Sequence, residues 1–286
     1  MEVVTELYKI PNLSLALGFF DGVHLGHQAV ISAAVDYACK NNCKSALATF
    51  KSHPSEILYN KGFKYIYSKE KKYELISELK IDYVIELDFE KIRSMSAKEY
   101  LENILINYFS PKAIFSGFNH TFGLNKSGDA NFLEQNKYKY GYEYFSVPQK
   151  MLLGEIVSST IVRKSIEDGD FNIANNMLNR NFSISGKVIE GKKLGRTIGF
   201  PTINIVYPEN IVPPAFGVYC VNVILPEGDK YKGIANFGLR PTVSNKKEPL
   251  LEVYILDFDG DLYYKMVEIE FVNFIRYEKK FDFRSR

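Results

Sequence analysis

The feature that most limits what this chain can fold into is a change of rhythm partway along it. Up to about residue 180, short apolar runs alternate with stretches of helical spacing; from Ser183 onward only short β-rich runs remain. Leu13–Leu17 (LSLAL), Ser45–Phe50 (SALATF), Tyr83–Leu87 (YVIEL) and Ala113–Phe115 (AIF) read as strands. Between them 25–40, Lys69–Leu79 and Ala97–Tyr108 carry apolar residues at helical spacing. Strands alternating with helices predict a parallel sheet with crossover helices, and in such sheets ligands bind beyond the carboxyl ends of the strands. The later runs, ISGKVI, TINIV, GVYCVNVIL, YKGIANF, LLEVYIL and KMVEIEFVNF, are separated by turn signals such as 226–229 (PEGD) and 259–261 (DGD). That spacing predicts an antiparallel barrel or sandwich. The 286 residues allow two domains. The boundary falls near Asn179–Ser183, which gives an α/β domain over 1–180 and an all-β domain over 183–286.

Composition excludes several classes. The 36 basic and 34 acidic residues leave a net charge of +2, which supplies no broad basic footprint for nucleic acid. The local runs Lys69, Lys71, Lys72 and Lys246, Lys247 read as solvated surface. Three cysteines, Cys39, Cys43 and Cys220, form no zinc-like cluster and read as reduced cytosolic thiols. The opening MEVVTELYKIPN lacks the basic and apolar regions of a signal peptide, and no stretch of about 18 apolar residues is present to span a membrane. A cytoplasmic protein is expected, with its oligomeric state open.

Two short stretches carry chemistry. In the first, 18–27 (GFFDGVHLGH), two of the four histidines stand three apart behind a glycine-containing turn. His24 and His27 then share one face of a helix start, where free backbone N–H groups and the dipole favour phosphate. Packing or capping is the other reading of such a pair. In the second stretch, 195–204 (GRTIGFPTIN), Pro201 sets the entry to a strand on which Thr202 and Asn204 face the same side. Their hydroxyl and amide oxygens make a weak pair for Mg²⁺, sufficient where phosphate oxygens and waters complete the shell. A Gly-Pro turn leading to an exposed strand is the alternative. Glu252 shares a face with Tyr254 and Leu256 in a mostly apolar strand, where an unpaired carboxylate needs a reason. A salt bridge at the rim would be one.

In its strand–turn–helix setting, Gly18-x-Phe20-Asp21-Gly22-Val23-His24-x-Gly26-His27 resembles the His-x-Gly-His nucleotidyltransferases. Its surroundings resemble the adenylyltransferase domain of prokaryotic bifunctional riboflavin kinase/FAD synthetases. Thr49-Phe50-x-x-His53-Pro54, the loop 117–123 (GFNHTFG) and Ser158-Ser159-Thr160-Ile161-Val162-Arg163 are similar to further motifs of that family. A common version of the last carries a second arginine where this chain has Ile161, which leaves Arg163 the basic role. Taken alone, the serines and threonine would read as a helix cap and His53 as structural. The second stretch resembles the riboflavin kinase signature Gly-Arg-x-x-Gly-Phe-Pro-Thr-x-Asn. The segments 214–219 (PAFGVY), 233–242 (GIANFGLRPT) and 251–258 (LEVYILDF) follow in family order.

The resemblance covers Leu15 to Phe281. It implies a Rossmann-like nucleotidyltransferase domain followed by a small antiparallel β-barrel. The first would transfer AMP from ATP to FMN, releasing pyrophosphate, with Gly18, Phe20, Asp21, Gly22, His24, His27, Ser158, Ser159, Thr160 and Arg163 around the phosphates. His53, Asn119 and Phe122 would contact flavin or nucleotide. The second would phosphorylate riboflavin with Mg-ATP. There Glu252 is the general base for the 5′-hydroxyl, Thr202 and Asn204 hold Mg²⁺, and Gly195, Arg196, Gly199, Pro201, Asn236, Arg240 and Arg276 line the ATP and flavin sites. The family usually continues past Phe281 into a helix that closes the flavin site, whereas this sequence stops at Arg286. A weakened kinase beside an intact FAD synthetase is therefore one alternative, and a non-catalytic flavin-binding regulator is another.

Overall fold

A computed structural model describes residues 1–59, 62–152, 154–191, 201–241 and 247–278; the side chains at 240, 241 and 247 lie outside that description. The chain divides into two compact units, Met1–Phe63 with Ser68–Ser158, and Lys64–Tyr67 with Ser159–Arg286.

The first unit is built on six strands, β1 (Glu2–Val4), β2 (Leu13–Leu17), β3 (Lys44–Phe50), β4 (Tyr83–Leu87), β5 (Ala113–Gly117) and β6 (Glu143–Val147). They form one sheet in the order β1-β4-β3-β2-β5-β6, with every neighbouring pair parallel. All five residues of β2 are buried, as a central strand covered on both faces requires. The helices are α1 (Leu25–Lys40), α2 (Pro54–Tyr59), α3 (Lys69–Glu78), α4 (Phe89–Ile92), α5 (Ala97–Tyr100) and α6 (Ala130–Tyr140). Helix α5 starts on a Ser96/Glu99 capping box and runs on with π-helical pitch through Leu101–Phe109. The strand order reverses beside β2, since β3 follows on one side and β5 on the other. Residues 18–24, which leave the carboxyl end of β2, therefore sit at the switch point where such sheets bind ligands. A short hairpin, β7 (Met151–Leu152) with β8 (Glu155–Ile156), ends the unit.

The second unit opens with α7 (Ser159–Glu167) and α8 (Phe171–Leu178) and continues into six strands. These are β9 (Phe182–Ile189), β10 (Thr202–Val206), β11 (Gly217–Ile224), β12 (Lys230–Pro241), β13 (Lys247–Ile255) and β14 (Met266–Tyr277). They close a barrel in the order β10-β13-β12-β11-β14-β9, antiparallel throughout. Its interior is apolar: Ile205, Tyr219, Ala235, Phe237, Leu251, Val253, Ile269 and Phe271 are all fully buried. Phe171 of α8 stacks on Phe271 at 5.0 Å and meets Tyr219 edge-on at 5.5 Å, which anchors that helix to the barrel.

One expectation is corrected. Lys72 is not solvated surface. It is 8% exposed and points inward from α3, while Lys69 of the same run pairs with the buried Glu86 at 2.5 Å. Lys72 stands three and four residues before Leu75 and Ile76, the other buried residues of α3, and so shares their inward face. Lys246 lies outside the described residues, as does the side chain of Lys247.

Candidate active sites

In the first unit the turn after β2 is bent by residues in the left-handed region: Phe20 (φ 59°), Gly22 (φ 83°) and Val23 (φ 44°). Phe20 and Val23 adopt that conformation against their preference, so surrounding contacts must hold it. Phe20 is 1% exposed, and a Cβ on Gly18 would press against its ring. Asp21 and His24 are likewise buried. Phe20 and Asp21 thus shape the loop from within.

His24 is the N-cap of α1: its Nδ1 accepts the His27 backbone N–H at 3.3 Å. In the neutral ring this leaves the proton on Nε2. The His24 and His27 rings stack at 3.5 Å with 17° between their planes. Capping and pairing, offered by the sequence as alternatives, are here one arrangement. A Cβ on Gly26 would come within 3.2 Å of the His24 ring, so the glycine makes room for that imidazole. Two stacked imidazoles at the dipole-positive end of a 16-residue helix form a ready site for a polyphosphate.

Around this turn, His53 stacks on Phe63 (3.8 Å, 3°) and meets Phe19 edge-on at 4.7 Å, while its Nδ1 accepts the Ser55 N–H. Asn119 is exposed after β5. Phe122 is packed among Tyr100, His120 and Phe132 and anchors its loop. His120 stands in the same loop, 117–123, where the motif assigns it no role. Its Nε2 is buried with no hydrogen-bond partner among the described residues, and burial pushes the imidazole down to about 4.

In the second unit, Ser159 begins α7 and Arg163 stands one turn later on the same face; Thr160 is exposed. Ser158 precedes them in the first unit.

The barrel places the other predicted residues by strand register. Asn204 of β10 pairs with Glu252 of β13, which pairs with Asn236 of β12; Asn236 pairs with Val218, and Val218 with Arg276. One row across the outer face of the barrel thus joins five residues, four of them polar or charged, separated by up to 72 positions (276 − 204). Thr202 and Tyr254 pair in the next row on that face. Glu252 and Arg276 are exposed, and Glu252 forms no ion pair among the described residues.

Asn204 is 6% exposed, and its Oδ1 has no hydrogen-bond partner among the described residues. Gly191 lies so close that a Cβ there would overlap the Asn204 amide. Beside Thr202 opens a cleft of about 300 Å³, walled by Pro201, Ile203, Phe258 and Tyr263. Two aromatic rings next to a hydroxyl suit a flat heterocycle carrying a polar tail. Phe258 ends the segment 251–258 that resembles the family, whereas Tyr263 follows the turn 259–261, which the sequence marks only as a break. Gly195, Arg196 and Gly199 lie outside the described residues, as does the side chain of Arg240.

Comparison with known proteins adds two family matches in this order: "FAD synthetase" over residues 9–161 and "Riboflavin kinase" over residues 178–285. A bifunctional riboflavin kinase/FMN adenylyltransferase of Buchnera aphidicola is 36% identical over 99% of this chain and 92% of its own. One from Listeria monocytogenes is 35% identical over 98% and 89%. A crystal structure from Streptococcus pneumoniae, titled a macrolide-efflux protein, superposes with a TM-score of 0.86 at 28% identity, over 99% of this chain and 93% of that one. Among the described residues no helix is long and apolar enough to cross a membrane. With both halves matched in order along nearly its whole length, this chain belongs to the bifunctional riboflavin kinase/FMN adenylyltransferase family.

Proposed function

We propose that this protein makes flavin cofactors in two ATP-dependent steps. The barrel half, 183–286, phosphorylates riboflavin to FMN, and the α/β half, 1–180, adenylylates FMN to FAD with release of pyrophosphate. One observation carries the reading. Two compact units each hold polar groups suited to a triphosphate: the His24–His27 stack on α1 and the Asn204–Glu252–Asn236 row on the barrel.

In the first reaction Glu252 takes the proton of the riboflavin 5′-hydroxyl as that oxygen attacks the γ-phosphorus of ATP; the bond from that phosphorus to the β,γ-bridging oxygen breaks and ADP leaves. The exposed carboxylate, flanked by two amide side chains, is open to a substrate hydroxyl. Asn236 and Arg276 orient flavin and phosphate in the same row. Asn204 Oδ1, buried without a described partner, and the Thr202 hydroxyl are hard oxygen donors that fit Mg²⁺. When bound, the ion neutralises charge on the phosphate oxygens. The cleft beside Thr202 takes the adenine, with Phe258 and Tyr263 as its walls.

In the second reaction an FMN phosphate oxygen attacks the α-phosphorus of ATP. The chain supplies alignment and charge stabilisation. His24 and His27 donate to phosphate oxygens, and Gly18 and Gly22 keep the turn tight. The family resemblance assigns Ser158, Ser159, Thr160 and Arg163 to the ATP phosphates of the same reaction. His53 and Asn119 meet the flavin or nucleotide, and Phe122 acts by fixing its loop. The three free cysteines and the ATP requirement fit a cytoplasmic enzyme.

Incubating riboflavin, ATP and Mg²⁺ with the pure protein and separating products over time tests the reading. FMN should appear first and FAD after it. FAD formation from supplied FMN without FMN formation from riboflavin would leave a monofunctional synthetase, and tight flavin binding with neither product would leave a regulator.

A further inference from the structure

Beneath the turn of the α/β unit lies a charge that neither reaction has used. Lys72 of α3 is buried under residues 19–21, 8% exposed. Its Nζ donates to the Phe19 carbonyl at 2.6 Å and to Thr49 Oγ1 at 3.2 Å. Thr49 Oγ1 in turn donates to the same carbonyl at 3.0 Å. The ammonium also lies 4.4 Å from the centre of the Phe19 ring, whose edge contact with His53 has been described. Phe19 immediately precedes left-handed Phe20, so its carbonyl is where the strained turn begins.

We propose that Lys72 is a positioning residue for adenylyl transfer, holding through the Phe19 carbonyl and ring the turn that presents His24 and His27. This rests on assigning FMN adenylylation to that turn. A neutral side chain of the same length would fill the space. It would leave the Phe19 carbonyl with the Thr49 hydroxyl alone and remove the cation facing buried Asp21.

The groups facing Lys72 are Asp21 from the turn, Glu86 from β4, and Lys69 and Tyr73 from its own helix; β3 contributes Thr49, which does not titrate. Burial pulls the ammonium down to about 8, assisted by Lys69 and opposed by Asp21 and Glu86. The positioning form is the protonated one, so adenylylation falls as pH rises through that value.

The test compares full-length wild type, Lys72→Met and Lys72→Arg, with FMN plus ATP and riboflavin plus ATP assayed separately. Lys72→Met should lower kcat for FAD formation about tenfold or more with little change in KM for ATP. Lys72→Arg should recover most of the rate, and FMN formation should be unchanged in both. Wild type should lose adenylylation above about pH 8, and Lys72→Met should show no such limb. Wild-type kcat in Lys72→Met, or a wild-type rate flat up to about pH 9.5, overturns the proposal. If Lys72→Met fails to fold, Lys72→Arg against wild type decides: the guanidinium stays charged, so its adenylylation should hold above about pH 8 where the wild type falls, and two profiles that fall together count against the positioning role. Absence of FAD from the wild type overturns instead the reading on which the proposal rests.

Discussion

The two candidate sites are built in opposite ways. In the α/β unit, residues close in sequence are forced together by a turn. Phe20 and Val23 are left-handed, four consecutive residues from Phe20 to Val23 are buried, and the two histidines are three apart. In the barrel, residues far apart in sequence are brought together by register. Asn204, Glu252, Asn236 and Arg276 lie on four different strands, and no strained residue is needed among them. A turn site depends on what holds the turn, which is why a buried lysine and threonine matter there. A register site depends on strand pairing, because a slip of one residue would send the whole row to the other face.

The sharpest way to break this comparison is to remove one site and read the other. Glu252→Ala should lower FMN formation by about 10²–10⁴-fold while FAD formation from supplied FMN stays intact. Product chromatography with each substrate decides it, and loss of both activities in a folded protein would end the two-site assignment. The double change His24→Ala with His27→Ala should do the reverse, lowering adenylylation by about 10²–10³-fold.

Gly191→Ala sharpens the register side. Its Cβ would displace the Asn204 amide, so FMN formation should fall roughly tenfold at low Mg²⁺ and recover as Mg²⁺ is raised. Failure to recover would place the role of Asn204 elsewhere.

The mildest test concerns His120. Its imidazole is held near 4, below the ordinary 6.5, so the unfolded chain binds more protons between those values. Stability contributed by the neutral ring is therefore present above 6.5 and lost as pH falls through that window. Thermal unfolding of wild type and His120→Phe across the window should converge at low pH, and parallel curves would refute the burial effect.

Much of this molecule was written locally. Apolar runs and helical spacing marked β2, α1 and the change to an all-β half, because those elements bury faces whose periodicity survives in one dimension. The polar helix α6, ANFLEQNKYKY, buries only Leu133 and left no such mark. His24 and His27 could be paired from spacing, since three residues is one helical turn. Lys72 was misread because burial of a lysine depends on which way α3 faces the sheet, and the sequence of α3 does not state it. The Thr202 cleft was invisible because its walls come from separate strands and turns.

The sequence by itself determined the two halves, the order of the strands along the chain and the chemistry available at each motif, since these follow from residue type and local periodicity. Only the tertiary structure decided that Asn204, Glu252 and Asn236 form one row, that Gly191 presses on the Asn204 amide, and that a lysine lies under the histidine turn. Those facts depend on strand register and helix orientation, which long-range packing sets.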